Sequence, residues 1–331
     1  MEKRVTAKDV AKLAGVSVSA VSRTFTEGAS ASLRTRDKVQ AAARHLGYQP
    51  NLLARGLMTG RTELVGLVSN NFDNPAYMEI FNLFTLGLQH YGFKPLLINF
   101  SGKEDSAKAL TTLRQYDVDA IIVASSTMPK DFIEGYVGLN IPVIQAFGHS
   151  GQKGQLESVA ADNRAGGQLA ADVLAERGYR RIAFLGGPRH ASSTRDRLSG
   201  FRAGLKAKGI PLVEERFGNA YSHAVGQELM RDLLAQPVID AVFCGDDVIA
   251  IGALDACREA GIDVPNALGL IGFNDIAMAS WPAYRLTTIR QPIGEIILAA
   301  VERAIHLIAE PNAQKQNRIF PCEIVIRQTL R

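Results

Sequence analysis

Between Thr6 and Gly47 the apolar side chains recur at helical spacing, and each run is framed by capping residues. TAKDVAKLA at 6–14 predicts a short helix with Thr6 as N-cap and Asp9 three residues on. Val10, Leu13 and Ala14 supply its inward face, and Gly15 permits a left-handed turn after it. Ser17 can cap a second helix, Val18 to Phe25, and Ser32 a third, Leu33 to Leu46. In the third, Val39, Ala42, Ala43 and Leu46 face inward and Gly47 ends the run. A tight turn between the first two helices matches helix-turn-helix geometry.

Residues 48–63 break this rhythm. Pro50 and Asn51 can start a helix, and Leu52, Leu53 and Leu57 give it an apolar side. Gly56, Thr59 and Gly60 weaken it, each glycine costing ~1 kcal/mol relative to alanine. A helix of about eight residues does not hold by itself, so disorder is expected until a partner fixes it.

From Leu64 onward short buried-type strands alternate with amphipathic helices. Strands are predicted at 64–68, 94–100, 119–125, 141–147, 181–186, 241–244, 268–273 and 323–327. Helices are expected to begin near Pro75, Glu104, Pro129, Asn163, Ser193, Ser222, Asp247 and Pro292. Repeated βα units imply parallel sheets covered on both faces. Eight to ten strands over about 270 residues exceed one small sheet, which predicts two similar, doubly wound α/β subdomains. The ligand site of such a pair is expected at the carboxyl ends of the strands, between the lobes.

Charge sharpens this division. Residues 1–60 hold ten Lys or Arg against four Asp or Glu, a net of +6. The rest holds 27 against 29, a net of −2. A basic module on a near-neutral body suggests a polyanion partner for the module alone. No apolar run is long enough for a membrane span and no apolar stretch follows Glu2–Arg4, so neither membrane nor export is expected. Cys244, Cys257 and Cys322 lack metal-ligand spacing and read as free thiols in a reducing cytoplasm. The six histidines share no metal spacing either, and neither cofactor nor metal is expected. The phosphate-binding glycine motifs and the hydrolase and zinc-protease motifs are absent, which argues against an enzyme.

The densest signal is VTAKDVAKLAGVSVSAVSRTF at 5–25. A recognition helix presents its first residues to base edges in the major groove. Here these are Val18 and Ser19, then Ser22 and Arg23 one turn on. Arg23 suits guanine, Ser19 either partner, and Val18 a thymine methyl. The hydroxyls of Thr6, Ser17 and Ser22 suit phosphate oxygens.

These residues resemble the DNA-binding headpiece of the lactose-repressor/galactose-repressor (LacI/GalR) family. The resemblance continues through residues 34–68, the DNP at 73–75, 162–188, 195–205, 244–265 and 271–292. It implies an all-α headpiece at 1–50 and a hinge helix and linker at 51–61. The remainder, 62–331, becomes a two-lobed core like that of periplasmic sugar-binding proteins. Its first lobe would span about 62–161 plus 291–321, its second about 162–290 plus 322–331. Asn51, Ala54, Arg55 and Leu57 then become hinge contacts to DNA, with Leu57 wedged into the minor groove beside its twin from a second subunit.

The resemblance also implies a small-molecule effector, a sugar, sugar acid or polyol, held by Asn74, Tyr77, Ser193, Arg197, Tyr221, Asp246, Asn274 and Gln291. Arg197 and Asp246 suit hydroxyl groups, and the two tyrosines a ring face. Plainer readings stand beside these. Asp247, or Asp246 with it, can cap the following helix, and Arg197 can be a solvated helix arginine. Trp281 fits a core or a pocket equally, and Asp162–Asn163 and Gly186–Gly187–Pro188 read as turn chemistry. Asn274 stands where many family members carry Asp, and Asp246 where some carry Asn. The expected whole is a cytoplasmic, homodimeric repressor on double-stranded operator DNA, whose grip the effector changes. An exported binding protein is the competing reading of the lobes alone; the basic headpiece opposes it.

Overall fold

The computed structural model describes residues 5–26, 29–49, 60–72, 74–100, 103–127, 132, 135–136, 138–139, 141–149, 156–235 and 239–331. The chain divides into two compact units, Met1–Glu63 and Leu64–Arg331. The hinge positions Asn51, Ala54, Arg55 and Leu57, and the expected helix start near Pro129, lie outside the described residues.

In the first unit α1 is Ala7–Ala14, α2 is Val18–Phe25 and α3 is Leu33–Leu46. Asp9 accepts from both the Thr6 amide (2.9 Å) and the Thr6 hydroxyl (2.6 Å), tying the start of α1. The Ser17 hydroxyl accepts from the Ala20 amide, and Ser32 from that of Thr35, which starts α2 and α3. Gly15 ends α1 at φ 66, a left-handed conformation that side chains with a Cβ resist. The core joins Val10, Ala11, Val21, Val39, Ala42 and Ala43. Leu13, expected inside, is 52% exposed. The buried stripe of α1 runs through Ala7, Val10, Ala11 and Ala14 instead. Both stripes are helical in period and share Val10 and Ala14; packing on α3 selects the alanine flank.

The second unit holds two six-stranded sheets. The first contains β1 (Leu64–Ser69), β2 (Lys94–Asn99), β3 (Ala120–Ala124), β4 (Val143–Ala146), β5 (Glu157–Ala161) and β11 (Arg318–Phe320). Their order is β11-β5-β4-β3-β1-β2. The second contains β6 (Ile182–Gly186), β7 (Leu212–Phe217), β8 (Ala241–Cys244), β9 (Gly269–Asn274), β10 (Thr288–Arg290) and β12 (Glu323–Val325), ordered β12-β10-β9-β8-β6-β7. Pairing is parallel except between β10 and β12. β3, β6, β8 and β9 are buried along their whole length, as strands covered on both faces must be.

The helices are α4 (Ala76–His90), α5 (Lys103–Gln115), α6 (Asn163–Glu176), α7 (Ser192–Ala207), α8 (His223–Leu234), α9 (Asp247–Glu259) and α10 (Ile293–Ala309). The chain passes to the second lobe after β5, returns with α10, and crosses again between β11 and β12. α10 packs on α4, β3, β4 and β5, so it belongs to the first lobe despite following the last long strand of the second. A buried ion pair fixes it there: Arg303 Nε and Nη2 donate to Glu157 at 2.5 and 2.8 Å. One apolar cluster is shared by both sheets, and each sheet carries another on its opposite face.

β5, β7, β10 and β11 were not among the expected strands. β5 opens on Glu157 and Ser158, β7 (LVEERF) is a charged edge strand, and β10 and β11 have three residues each. Their pairing partners, rather than an apolar run, make them strands.

Candidate functional site

The leading face of α2 points away from the headpiece core. Val21 and Thr24 are buried on one side, while Val18 is 44% exposed on the other. Ser17, Ser19 and Arg23 are exposed and Ser22 is partly buried. Thr24 returns its hydroxyl to the Ala20 carbonyl and Thr26 its own to that of Ser22, so both stay within the helix. The hydroxyls of Ser17 and Ser19 are 2.9 Å apart, which orients both at the start of the helix. The Thr6 hydroxyl donates to Asp9, leaving its lone pairs for any further contact. An exposed cation, hydroxyls at a helix start and a small apolar side chain on one face form a surface able to read base edges and phosphates.

In the second unit, the eight residues expected to hold an effector all line one space between the lobes. Asn74 and Tyr77 come from the start of α4, and Gln291 from the end of β10. Ser193 and Arg197 lie on α7, Tyr221 precedes α8, Asp246 caps α9 and Asn274 ends β9. Seven of the eight are buried and Tyr77 is partly so. The space they enclose is about 40 Å³, room for a few waters.

These side chains satisfy one another. Arg197 donates from Nε to Asn163 (2.8 Å), from Nη1 to the Gly245 carbonyl (2.6 Å) and from Nη2 to Asn274 (3.2 Å). Its guanidinium lies 3.7 Å from the centre of the Phe273 ring. Gln291 donates to the same Asn274 oxygen at 2.8 Å, and the Asn274 amide donates to Asp246 at 2.8 Å. Three side-chain bonds thus hold Asn274 at φ 125, a backbone conformation few non-glycine residues adopt. Tyr221 shares its hydroxyl with Ser193 and Thr194, each at 2.8 Å, and Tyr77 accepts from Asn71 at 3.0 Å.

Burial pushes the Asp246 carboxyl up; Arg197 and the amides of Val248 and Asn274 pull it back. Burial likewise pulls Arg197 down, yet guanidinium remains a cation in proteins. The result is a guanidinium and a carboxyl group joined through a neutral amide. That set can grip adjacent donor and acceptor groups on a polar molecule. Ala76, Ile80, Phe147 and Ile293 supply apolar lining.

Several plainer readings resolve. Asp246 is the cap of α9, accepting from Val248 at 2.8 Å while also lining the cleft. Asp247 is not the cap. Its carboxylate accepts from Ile276 N (2.9 Å) and Thr288 Oγ1 (2.6 Å), and burial pushes it up to about 7. Arg197 is buried rather than solvated, and Trp281, at 51% exposure, lies in neither core nor cleft. Asp162 caps α6 through the Ala165 amide, but its neighbour Asn163 faces Arg197. Gly187 leaves room for the Tyr221 ring, which a Cβ there would meet at 2.3 Å. Sequence reasoning passed over Ser126, which lines the cleft and accepts from Ser193 at 2.9 Å. Its place just past the end of β3 was the available signal.

Residues 6–51 match the pattern of bacterial regulatory proteins of the lacI family, and 171–330 that of the periplasmic binding protein-like domain. The ribose operon repressor of Escherichia coli (strain K12) is 32% identical over 318 residues, spanning 94% of this chain and 95% of that protein. The chain belongs to the LacI family. The transcriptional repressor PurR of Proteus mirabilis is 33% identical over 87% of this chain and 85% of its own. Among solved structures, the lac repressor dimer bound to operator and the anti-inducer ONPF superposes with a TM-score of 0.89, at 28% identity and 99% coverage of both chains. These relatives are transcriptional repressors, not enzymes. The LacI-family chain accordingly joins a helix-turn-helix unit to two parallel-sheet lobes. Among its described residues no helix is long and apolar enough to cross a membrane, and no group of three His, Cys, Asp or Glu could hold a metal ion.

Proposed function

We propose that this LacI-family chain is a cytoplasmic repressor that binds double-stranded operator DNA in sequence-specific fashion, with affinity set by a small polar effector between its lobes. One observation carries the reading: eight polar side chains scattered from Asn74 to Gln291 meet round a single space in a chain that also bears an exposed recognition face. In this reading Val18, Ser19 and Arg23 contact bases, while Thr6, Ser17 and Ser22 contact phosphates. Residues 51–61 act as the hinge, with Asn51, Ala54 and Arg55 along the minor groove and Leu57 as its wedge. Two subunits pair so that their headpieces read adjacent half-sites of a pseudo-palindrome.

The effector is a sugar, sugar acid or polyol. The relative named as the ribose operon repressor and the lac repressor bound to the anti-inducer ONPF favour a small polar metabolite. Arg197, Asp246, Asn274 and Gln291 then exchange bonds among themselves for bonds to hydroxyl groups. Because about 40 Å³ does not admit a sugar, the lobes part to receive it. That movement carries the signal to the hinge as a coupling of ~1–3 kcal/mol, equal in both directions.

The test has two arms. Selection from a random duplex pool by the full-length protein yields a two-fold symmetric site; recovery of unenriched sequence overturns the DNA reading. Titration calorimetry against sugars, sugar acids and polyols, repeated with the selected operator, identifies the effector. A ligand that binds without changing operator affinity overturns the coupling.

A further inference from the structure

A second contact crosses between the lobes outside the effector set. His149 follows β4 in the first lobe, and Asp196 lies on α7 in the second. His149 Nε2 stands 2.6 Å from Asp196 Oδ2. Around it two further hydrogen bonds join the lobes: the Ser192 amide donates to the Ser126 carbonyl (2.9 Å) and the His149 amide to the Ser192 hydroxyl (3.3 Å). Both partners adjoin the cleft: Phe147, two residues before the histidine, lines it, and Arg197 follows the aspartate directly.

We propose that His149 and Asp196 form a proton-dependent latch that holds the two lobes closed. The latch has a function only if the lobes move as proposed above, but its formation depends on neither operator nor effector. The imidazole faces Asp196 and, less closely, Arg195 of α7 and Arg164 of α6. The hydrogen bond to Asp196 raises its pKa most; partial burial and the two arginines oppose that rise without cancelling it. Arg164 lies 3.8 Å from Asp196 Oδ1, so the carboxylate keeps a cation within its own lobe when the latch parts.

A histidine whose pKa is higher in the closed form binds its proton more tightly there. Closure is therefore favoured below the ordinary imidazole value of ~6.5 and loses that support as pH rises through the raised value. Each unit of difference between closed and open forms changes the closure equilibrium about tenfold. An effector that enters by parting the lobes meets a tighter latch in acid.

The experiment uses the full-length protein without ligand. The His149 ring is titrated by NMR, and protection of the Ser192 and His149 amides against hydrogen exchange is measured from about pH 5.5 to 8. In the wild type His149 titrates above the ordinary value, and protection at both amides falls several-fold across the range. In Asp196→Asn the histidine returns towards the ordinary value and the profile flattens. His149→Gln, which keeps a neutral donor, also flattens it. Titration of His149 at the ordinary value overturns the latch, as does an identical protection profile in the wild type and either variant. Such a result would leave the effector and operator reading intact, whereas failure to select an operator would not alter these profiles.

Discussion

The recognition face of α2 and the interlobe cleft both present polar side chains, in opposite states. On α2 the proposed reading residues Val18, Ser19 and Arg23 are exposed, and the hydroxyls of Ser17 and Ser19 at its start stand within bonding distance of each other. In the cleft most of the polar side chains are buried and bonded to other side chains or to the backbone. In the proposed reading the first surface meets DNA with little rearrangement of its own. The second must break internal bonds before anything else can take their place. Polar groups on an exposed face lose little stability in water, but polar groups buried in a cleft must find partners there.

The strongest challenge to this contrast is a pair of arginine substitutions. Arg197→Ala is expected to destabilise the core by ~3–5 kcal/mol, because it strands Asn163, the Gly245 carbonyl and Asn274 in a buried site. Urea unfolding would show it, and a loss below about 1 kcal/mol would mean that the network relaxes at little cost. Arg23→Ala, on the exposed face, should leave the urea midpoint within the equivalent of ~0.5 kcal/mol. Its effect belongs to the selected operator, at ~1–3 kcal/mol with relaxed preference at one base position. An equal loss on random DNA would make Arg23 a phosphate contact.

Tyr221→Phe sharpens the comparison inside the cleft. It removes the hydroxyl shared by Ser193 and Thr194, at an expected stability cost of ~1–2 kcal/mol. Compensating waters would show as an unchanged unfolding midpoint. The smallest effect expected is that of Ser17→Ala, which removes the α2 cap and costs ~1 kcal/mol in the stability of the headpiece. Operator affinity should fall with it, since the helix start carries the proposed reading residues. Unaltered affinity and stability would show that the turn after Gly15 suffices to start the helix.

Much of this molecule is legible along the chain because the relevant chemistry is local. Thr6, Ser17, Ser32, Gly15 and Gly47 mark three helices through bonds that span only a few residues. The long buried strands announce themselves as apolar runs bounded by turns. The cleft residues could be named through resemblance to a family, but nothing in their spacing brings Asn74 beside Tyr221 or Gln291 beside Asn274.

Tertiary contact decided the remainder. Whether Leu13 or Ala11 was buried depended on how α1 met α3, since either choice satisfies the helical period. β5, β7, β10 and β11 exist because neighbours offer them backbone partners, not because their residues demand it. Asn163 left its turn reading and Arg197 its solvated one because folding brought their side chains to 2.8 Å. Periodicity and capping are interactions within one stretch of chain, so sequence alone can specify them. Which buried polar group satisfies which other is a matter of distances across the fold, and these exist only once the sheets have formed.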